Sequence, residues 1–206
     1  MTIDDTAPEV AHSAEDRQRL RIDAVRRRRP RLIEEVVTLA HGAGGKSSAA
    51  LVDAVFLETF RNPTLEQLGD SAVLALPSGE RIAFSTDSYV VQPIEFPGGT
   101  IGHLAVHGTV NDLAVSGARP QWLSAAFVIE EGFAVERLRR IVADMHIAAA
   151  NAGVAIVTGD TKVVARGGAD GLYITTSGVG VVPAGRHLGP DRVRPGDTLL
   201  LSGTLA

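Results

Sequence analysis

The sequence predicts a domain that mixes β-strands with α-helices, and three patterns support this prediction. Residues 72–76 and 81–85 are short apolar runs separated by Pro77-Ser78-Gly79, an arrangement typical of a β-hairpin. Residues 135–151 place apolar side chains on one helical face and charged side chains on the other. Residues 172–182 form a longer strand-like run. Together these patterns indicate a folded domain that contains both kinds of element.

The remaining elements are predicted in chain order. A helix follows the glycine-rich segment 41–48 and ends at Asn62-Pro63. Residues 100–115 are apolar on nearly all sides, which predicts a helix that is buried on more than one side. Further strands are predicted at residues 122–129, 154–158 and 198–201. The last strand begins where the sequence stops, so we expect a truncated product.

Three segments are expected along the chain. Residues 1–34 are polar and rich in arginine, and the run Arg26–Arg29 with Pro30 disfavours a helix, so we expect a disordered tail. An anion-binding arm is the alternative for this tail. Residues 35–182 are expected to form the folded domain. Residues 183–206 are expected to be a linker and the first strand of a truncated second domain.

The composition limits the classes of protein to which the chain can belong. Hydrophobic residues make up 45% of the 206 residues, which is enough for a sizeable core. The net charge of -4 gives no basic surplus, so we expect no nucleic-acid partner. The absence of cysteine excludes disulfides and thiolate chemistry within this chain. Since no signal-like segment and no long apolar run occur, we expect a cytoplasmic protein with no membrane partner.

Four aspartates are predicted to lie where secondary structure elements end. Asp87 follows the apolar run 81–85, Asp112 lies near the far end of the predicted helix 100–115, and the other two each follow a glycine. A carboxylate at such a position is reached by water or a metal, so its charge costs little to maintain. Taken singly, an aspartate beside glycine is typical of a turn. Taken together, the four predict a site for Mg²⁺ bound to nucleotide phosphates, with the ligands Asp70, Asp87, Asp112 and Asp160.

Two polar neighbours extend this candidate site. Lys162 follows Asp160 by two residues and would project from the same loop, where its charge can neutralise phosphate. An exposed lysine paired with Asp160 is the alternative. Asn111 precedes Asp112, so it orients that carboxylate, contacts the nucleotide or caps the helix end.

The glycine-rich segment 41–48 is a second candidate for phosphate binding. Gly45-Lys46-Ser47 matches the end of the pattern G-x-x-x-x-G-K-[ST], but Ala40 stands where its first glycine is required. We therefore favour a flexible loop that closes over phosphates, and an ordinary strand-to-helix turn remains the alternative. The residues expected to contact phosphate in this loop are Gly42, Gly44, Gly45 and Lys46.

Two histidines on the predicted helix 100–115 raise the question of a zinc site. His103 and His107 are four residues apart, so they share one helical face. Zinc would need at least one further ligand, and the pattern H-E-x-x-H is absent from this helix. A packed or hydrogen-bonded histidine is therefore favoured at both positions.

Five runs of the sequence stand out as long and ordered: LAHGAGGKS, STDSYVVQPIEFPGG, IGHLAVHGTVNDLAVSGA, IVTGDTKVV and LLLSGT. They resemble the HypE family of hydrogenase maturation proteins, which belongs to the superfamily of aminoimidazole ribonucleotide synthetase and selenophosphate synthetase. The resemblance implies the amino-terminal ATP-binding domain of that superfamily. That domain is of the α+β class, with a mixed sheet backed by helices, and it pairs with a second copy into a barrel-like homodimer.

The resemblance also implies a reaction and its partners. In the HypE family, the carbamoyltransferase HypF delivers a carbamoyl group to a cysteine near the C-terminus, and ATP-dependent dehydration converts it to a thiocyanate. The cyanide then passes to the HypC-HypD complex for the iron of [NiFe] hydrogenase. At matching positions, the resemblance makes the four aspartates ligands of Mg²⁺ and phosphate, Lys162 a phosphate contact and Asn111 an orienting neighbour. Asp112 and Lys162 are the residues expected to act in catalysis.

One departure from the family keeps other interpretations open. The 206 residues contain no cysteine, so this chain cannot carry the carbamoyl group on a thiol of its own. The alternatives are a non-catalytic module that dimerises and binds partners, and a small-molecule phosphotransferase of the same superfamily. Selenophosphate synthetase is disfavoured because Ala43 stands where that enzyme commonly has cysteine or selenocysteine.

Overall fold

The computed structural model describes residues 31–201 and Gly203. Most of the predicted tail, residues 1–30, lies outside the described residues. The chain divides into two compact units, Met1–Glu66 and Gln67–Ala206, which are described separately.

The first unit is helical within its described part. A 3₁₀ turn at Leu39–His41 is followed by helix α1, Gly45–Leu51, a π-helical stretch, Val52–Leu57, and helix α2, Glu58–Phe60. The predicted helix ending at Asn62-Pro63 is therefore confirmed. Gly44 and Gly45 have φ angles of 79° and 74°, a left-handed conformation that favours glycine at the turn into α1.

The second unit is built on a five-stranded mixed sheet. The strands lie in the order β1-β2-β7-β5-β6, and all neighbours are antiparallel except β5 and β6. The strands of this sheet are β1 Ala72–Ala75, β2 Arg81–Tyr89, β5 Arg119–Glu130, β6 Ala155–Val164 and β7 Leu172–Val182. Two short strands, β3 Glu95–Phe96 and β4 Gly99–Thr100, form a separate hairpin.

Two helices cover one face of this sheet. They are α3, Ile101–Val115, and α4, Val135–Ala152. Gly153, in the left-handed conformation, ends α4 as the sequence predicts. The core lies between the helices and the sheet and includes Ile101, Val106, Leu123, Ile141 and Ile174. The predicted arrangement of a mixed sheet backed by helices is therefore confirmed. Within the described residues, no helix has the length and apolar character needed to cross a membrane.

Among the described residues of the second unit, no helix covers the opposite face of the sheet, and we call this face the open face. It is defined by Leu74, Phe84, Trp122 and Val181, whose exposed fractions lie between 37% and 50%. Hydroxyl pairs cross the strands on the same face, with Ser177 donating to Thr86 over 2.9 Å. The open face thus combines exposed aromatic rings with hydroxyl groups that already bond each other.

Two predicted strand boundaries and one predicted strand were wrong. Strand β2 continues beyond Ser85 to Tyr89, so Asp87 lies inside a strand and pairs with Thr176 of β7. Strand β6 runs to Val164, so Asp160 and Lys162 also lie on a strand, not in a loop. Because β6 is an edge strand, its polar side chains remain in solvent at little cost. Residues 198–201 form no strand, and Leu199 and Leu200 are almost fully exposed.

Candidate functional site

The charges of Asp70 and Asp87 both act on Asp112 where β2 faces α3, and we call these three predicted aspartates the acidic cluster. Asp87 belongs to β2, Asp112 lies in the last turn of α3, and Asp70 precedes β1. Ser85 links two of them. Its hydroxyl oxygen lies 2.8 Å from Asp112 Oδ2 and 3.0 Å from the backbone carbonyl oxygen of Asp70. The fold therefore brings together acids that are 42 positions apart at their extremes.

The electrostatics of the cluster favour a cation. Burial raises the pKa of the Asp112 carboxyl, and the charges of Asp87 and Asp70 raise it further, whereas the hydrogen bond from Ser85 lowers it. Like charges held near one another repel, so a cation bound between them would relieve that repulsion. Carboxyl groups with a raised pKa, such as that of Asp112, are common at functional sites.

Tyr89 holds the second carboxylate of the cluster. Its hydroxyl donates a hydrogen bond of 2.9 Å to Asp87 Oδ2. Burial is the main cause that raises the pKa of Tyr89 to about 12, and the charges of Asp87 and Asp112 add to it, while a contact with the Thr109 hydroxyl lowers it. Tyr89 therefore stays protonated at neutral pH and remains a hydrogen-bond donor.

The fourth aspartate lies apart from the acidic cluster. Asp160 pairs with Ala126 of β5, which pairs with Thr175 of β7, which in turn pairs with Ser88 of β2. Three strand spacings separate it from β2, or about 14 Å. Since Leu123 and Ala125 face the core, alternation places Ala126 and Asp160 toward the open face. Among the described residues, no group of three or more acidic or histidine side chains could hold a metal ion by itself.

Asp160 has its own charged partner. Lys162 Nζ lies 3.3 Å from Asp160 Oδ2, and both side chains are mostly exposed. A hydrogen bond from the backbone of Thr161 and the neighbouring Lys162 lower the pKa of the Asp160 carboxyl. The pairing of Lys162 with Asp160 was the alternative considered from the sequence, and it is present in this structure.

The other predicted residues do not belong to the acidic cluster. Asn111 is exposed on α3, which continues to Val115, so Asn111 does not cap the helix end. Gly42, Gly44, Gly45 and Lys46 lie at the start of α1 in the first unit. His103 Nδ1 accepts a hydrogen bond of 3.2 Å from the Thr100 backbone at the start of α3, and its ring stacks on His107 at 6.5 Å. The histidines are thus packed and hydrogen-bonded, as the sequence favours.

Sequence reasoning missed two residues of this site, Ser85 and Tyr89. The signal that could have found them is the alternation of a strand. If β2 is drawn through Tyr89, then Ser85, Asp87 and Tyr89 fall on one face at intervals of two residues. The prediction that the strand ended before Asp87 concealed this relationship.

A mixed sheet with two helices on one face and an acidic cluster beneath the end of α3 defines the class of this protein. Residues 68–182 match the family described as AIR synthase related protein, N-terminal domain, and the chain belongs to that family. Within the family, the chain resembles the amino-terminal half of HypE. It is 60% identical over 176 residues to the carbamoyl dehydratase HypE of Rhodobacter capsulatus, covering 84% of this chain and 52% of the relative.

Solved structures agree with this assignment. The structure of a HypE-HypF complex matches with a TM-score of 0.66 at 49% identity, covering 71% of this chain and 47% of the other. The structure of HypE in complex with ATP matches with a TM-score of 0.56 at 51% identity, covering 78% and 48%. The resemblance to HypE predicted from the sequence is therefore confirmed. The chain spans about half the length of the curated relatives it matches.

Proposed function

We propose that this chain supplies the ATP-binding half of a HypE-type carbamoyl dehydratase. The observation that carries the proposal is the acidic cluster, in which Asp112 is partly desolvated beside two further carboxylates. The similarity to a HypE solved in complex with ATP supports the same ligand for this chain. Such a half would bind the nucleotide and hold it for transfer of its terminal phosphoryl group.

The donor set of the cluster fits Mg²⁺ better than a softer metal. All of its ionisable ligands are carboxylates, and hard oxygen donors are what Mg²⁺ prefers. Magnesium commonly takes one or two carboxylates and completes its octahedron with water and phosphate oxygens. Since no group of three or more acidic or histidine side chains among the described residues could hold a metal ion alone, the proposal requires a metal that arrives bound to a nucleotide.

The chain's own residues would have distinct roles in this reaction. ATP supplies the phosphoryl group that turns the carbamoyl oxygen into a good leaving group. Asp87 and Asp112 would hold the cation, Ser85 would orient Asp112, and Asn111 would stand beside it on α3. The thiol that carries the carbamoyl group must come from outside these 206 residues, since they contain no cysteine.

The remaining predicted site residues do not belong to the acidic cluster, and separate roles are proposed for them. Asp160 and Lys162 lie across the sheet from the cluster, so they would act on a more distant part of the phosphate chain or on a second site. The backbone amides of Gly42, Gly44 and Gly45 with the Lys46 side chain are proposed as a phosphate-binding loop of the first unit. Each group can be tested by its own substitutions.

The proposed assembly follows from the open face. Exposed rings at Phe84 and Trp122 would be covered if two copies paired their sheets into the barrel-like homodimer implied by the family. HypF is proposed as a partner because a relative was solved in a HypE-HypF complex. The HypC-HypD complex and a cytoplasmic location belong to the same proposal through the resemblance.

Nucleotide binding distinguishes the proposal from its alternatives. We expect ATP with Mg²⁺ to raise the melting temperature of the chain, because a ligand that binds only the native state stabilises it. No shift at millimolar ATP would favour a non-catalytic module that binds partners. Consumption of ATP only when a small metabolite is added would instead favour a phosphotransferase.

A matched pair of variants ties any shift to the cluster. Asp112→Asn keeps the shape of the side chain and removes its charge, so it should abolish the shift caused by Mg-ATP. Asp170→Asn provides the control, because Asp170 is an exposed carboxylate that accepts a hydrogen bond from Tyr173 outside the cluster. Equal binding by both variants in calorimetry would remove Asp112 from the site.

A further inference from the structure

The Tyr89 hydroxyl is seated in a notch of α3 that is made by a glycine. A Cβ atom added at Gly108 would overlap the Tyr89 hydroxyl and crowd its ring. The absence of a side chain at this turn of α3 therefore creates the space in which the hydroxyl lies. From that position it donates to Asp87 Oδ2 over 2.9 Å.

The turn of α3 that forms the notch is fixed to the sheet by buried hydroxyl groups. Thr176 of β7 donates its hydrogen to the backbone carbonyl of Ala105 over 2.7 Å. The hydroxyl oxygens of Thr176 and Thr109 lie 2.7 Å apart and form a hydrogen bond. Both threonines are completely buried. Since buried hydroxyls that lose a partner are costly, this chain of bonds holds Gly108 and Thr109 at a set height above β7.

The tyrosine ring is constrained from its other side as well. Tyr89 ends β2, where its backbone pairs with Ile174, and its ring packs against the core cluster. The Tyr89 side chain is restricted to one position, because its backbone is paired, its ring is packed and its hydroxyl lies in the notch. Any carboxylate that accepts its hydrogen bond is therefore restricted in orientation.

We propose that Tyr89 is a positioning residue that holds Asp87 by Oδ2 and directs Oδ1 of the same carboxylate toward the bound cation. The proposal rests on the proposed function, in which Asp87 binds Mg²⁺ with the nucleotide. A carboxylate held in one orientation loses less freedom when it binds a metal. Tyr89 would thus tighten the magnesium dependence of nucleotide binding without touching the nucleotide.

The test compares two tyrosine-to-phenylalanine variants of the full chain. Tyr89→Phe removes only the hydroxyl that bonds Asp87. Tyr173→Phe is the matched control, because the Tyr173 hydroxyl donates to Asp170 over 3.1 Å at the start of β7, outside the acidic cluster. For each protein we would titrate Mg²⁺ at fixed ATP by calorimetry, and measure the melting temperature without ligand.

We expect Tyr89→Phe to raise the Mg²⁺ concentration at half-saturation about fivefold to tenfold, which lies within the net effect of one ordinary hydrogen bond. Tyr173→Phe should leave that midpoint unchanged. Gly108→Ala, which displaces the hydroxyl but keeps it, should shift the midpoint in the same direction. A purely structural role would lower the melting temperature of Tyr89→Phe and leave the magnesium midpoint unchanged, and that result would overturn the proposal. If the wild-type chain binds no Mg-ATP, the proposed function fails as well, and the two failures are distinguished by the wild-type titration.

Discussion

Ser85 and Asp112 connect the sheet to the helix above it by a hydrogen bond of 2.8 Å from the Ser85 hydroxyl to Asp112 Oδ2. The bond is partly shielded from water, because Ser85 is buried and Asp112 is half-buried. It is also a favourable contact for a carboxylate that its acidic neighbours repel. The Ser85 hydroxyl thus stabilises the ionised Asp112 carboxylate against repulsion by the other two aspartates of the acidic cluster. Substitutions can test the relative size of these two effects.

Asp112→Asn should stabilise the ligand-free protein at neutral pH. Because the pKa of Asp112 is raised above 3.8 in the folded state, that state binds more protons than the unfolded chain at pH values above 3.8. Stability therefore falls as the pH rises above 3.8, and the penalty is larger at pH 7 than below pH 3.8. Asparagine lacks this titration and still accepts the Ser85 hydrogen bond. We expect a higher melting temperature than the wild type at pH 7 and a difference that shrinks as the pH falls below 3.8.

Thermal unfolding from below pH 3.8 to pH 8 measures this prediction directly. The control is Asp170→Asn, because Asp170 lies outside the acidic cluster and is not surrounded by its carboxylates. A wild-type protein that is more stable than Asp112→Asn at pH 7 would contradict the raised pKa of Asp112, which burial and then the charges of Asp87 and Asp70 cause. The same variant should lose Mg-ATP binding, so stability and binding would change in opposite directions.

Ser85→Ala should destabilise the protein at neutral pH. The substitution removes the donor that supports the ionised Asp112 and leaves the carboxylate with its like-charged neighbours. Because Asp112 is still partly in solvent, we expect a loss of about 1 kcal/mol, which is the typical net value of one hydrogen bond and less than that of a fully buried bond to a charged group. Chemical denaturation of both proteins gives the difference. In Ser85→Ala/Asp112→Asn the effect of the serine substitution should shrink, and an unchanged effect would assign it to packing.

Gly108→Ala should destabilise the second unit because the added methyl overlaps the Tyr89 hydroxyl. Overpacking of this kind typically costs about 1 to 3 kcal/mol. Tyr89→Phe removes the overlapping oxygen, so the double variant should recover part of the loss, and a double-mutant cycle measures that coupling. Gly102→Ala is the control, since its methyl would instead meet Ile141 and Met145. Equal recovery at both glycines would show that the notch is not specific to Tyr89.

The fold was predictable from the sequence where apolar patterns decide it. Residues 172–182 form the predicted strand with the same bounds, and α3 and α4 agree to within one residue. The pattern failed in β2 and β6, where polar residues continue the strand. Asp87 is tolerated inside β2 because Tyr89 donates to it, and Lys162 is tolerated in β6 because an edge strand leaves it in solvent.

The types of residue in the site were predictable from the sequence, but their positions relative to one another were less so. Asp87 and Asp112 were identified from their position beside element ends, and they do lie close together. Their contact depends on α3 lying over β2, which no local pattern specifies. Asp160 also follows a glycine, but the strand order sets it three strands from Asp87. The distance between Asp160 and Asp87 depends on the order of the strands in the sheet, and that order cannot be read from a single sequence.

Trp122→Glu should weaken self-association if the open face forms the proposed dimer. Trp122 is 50% exposed, and on the open face it lies in one row with Val179 and the 43% exposed Phe84. A charge buried in that face without a partner costs far more than one in solvent, so the dimer should dissociate at concentrations where the wild type remains paired. Sedimentation equilibrium measures the association constant. Val135→Glu is the control, because Val135 is 65% exposed at the start of α4, where a negative charge favours the helix. Loss of association in both variants, or in neither, would remove the open face as the dimer surface.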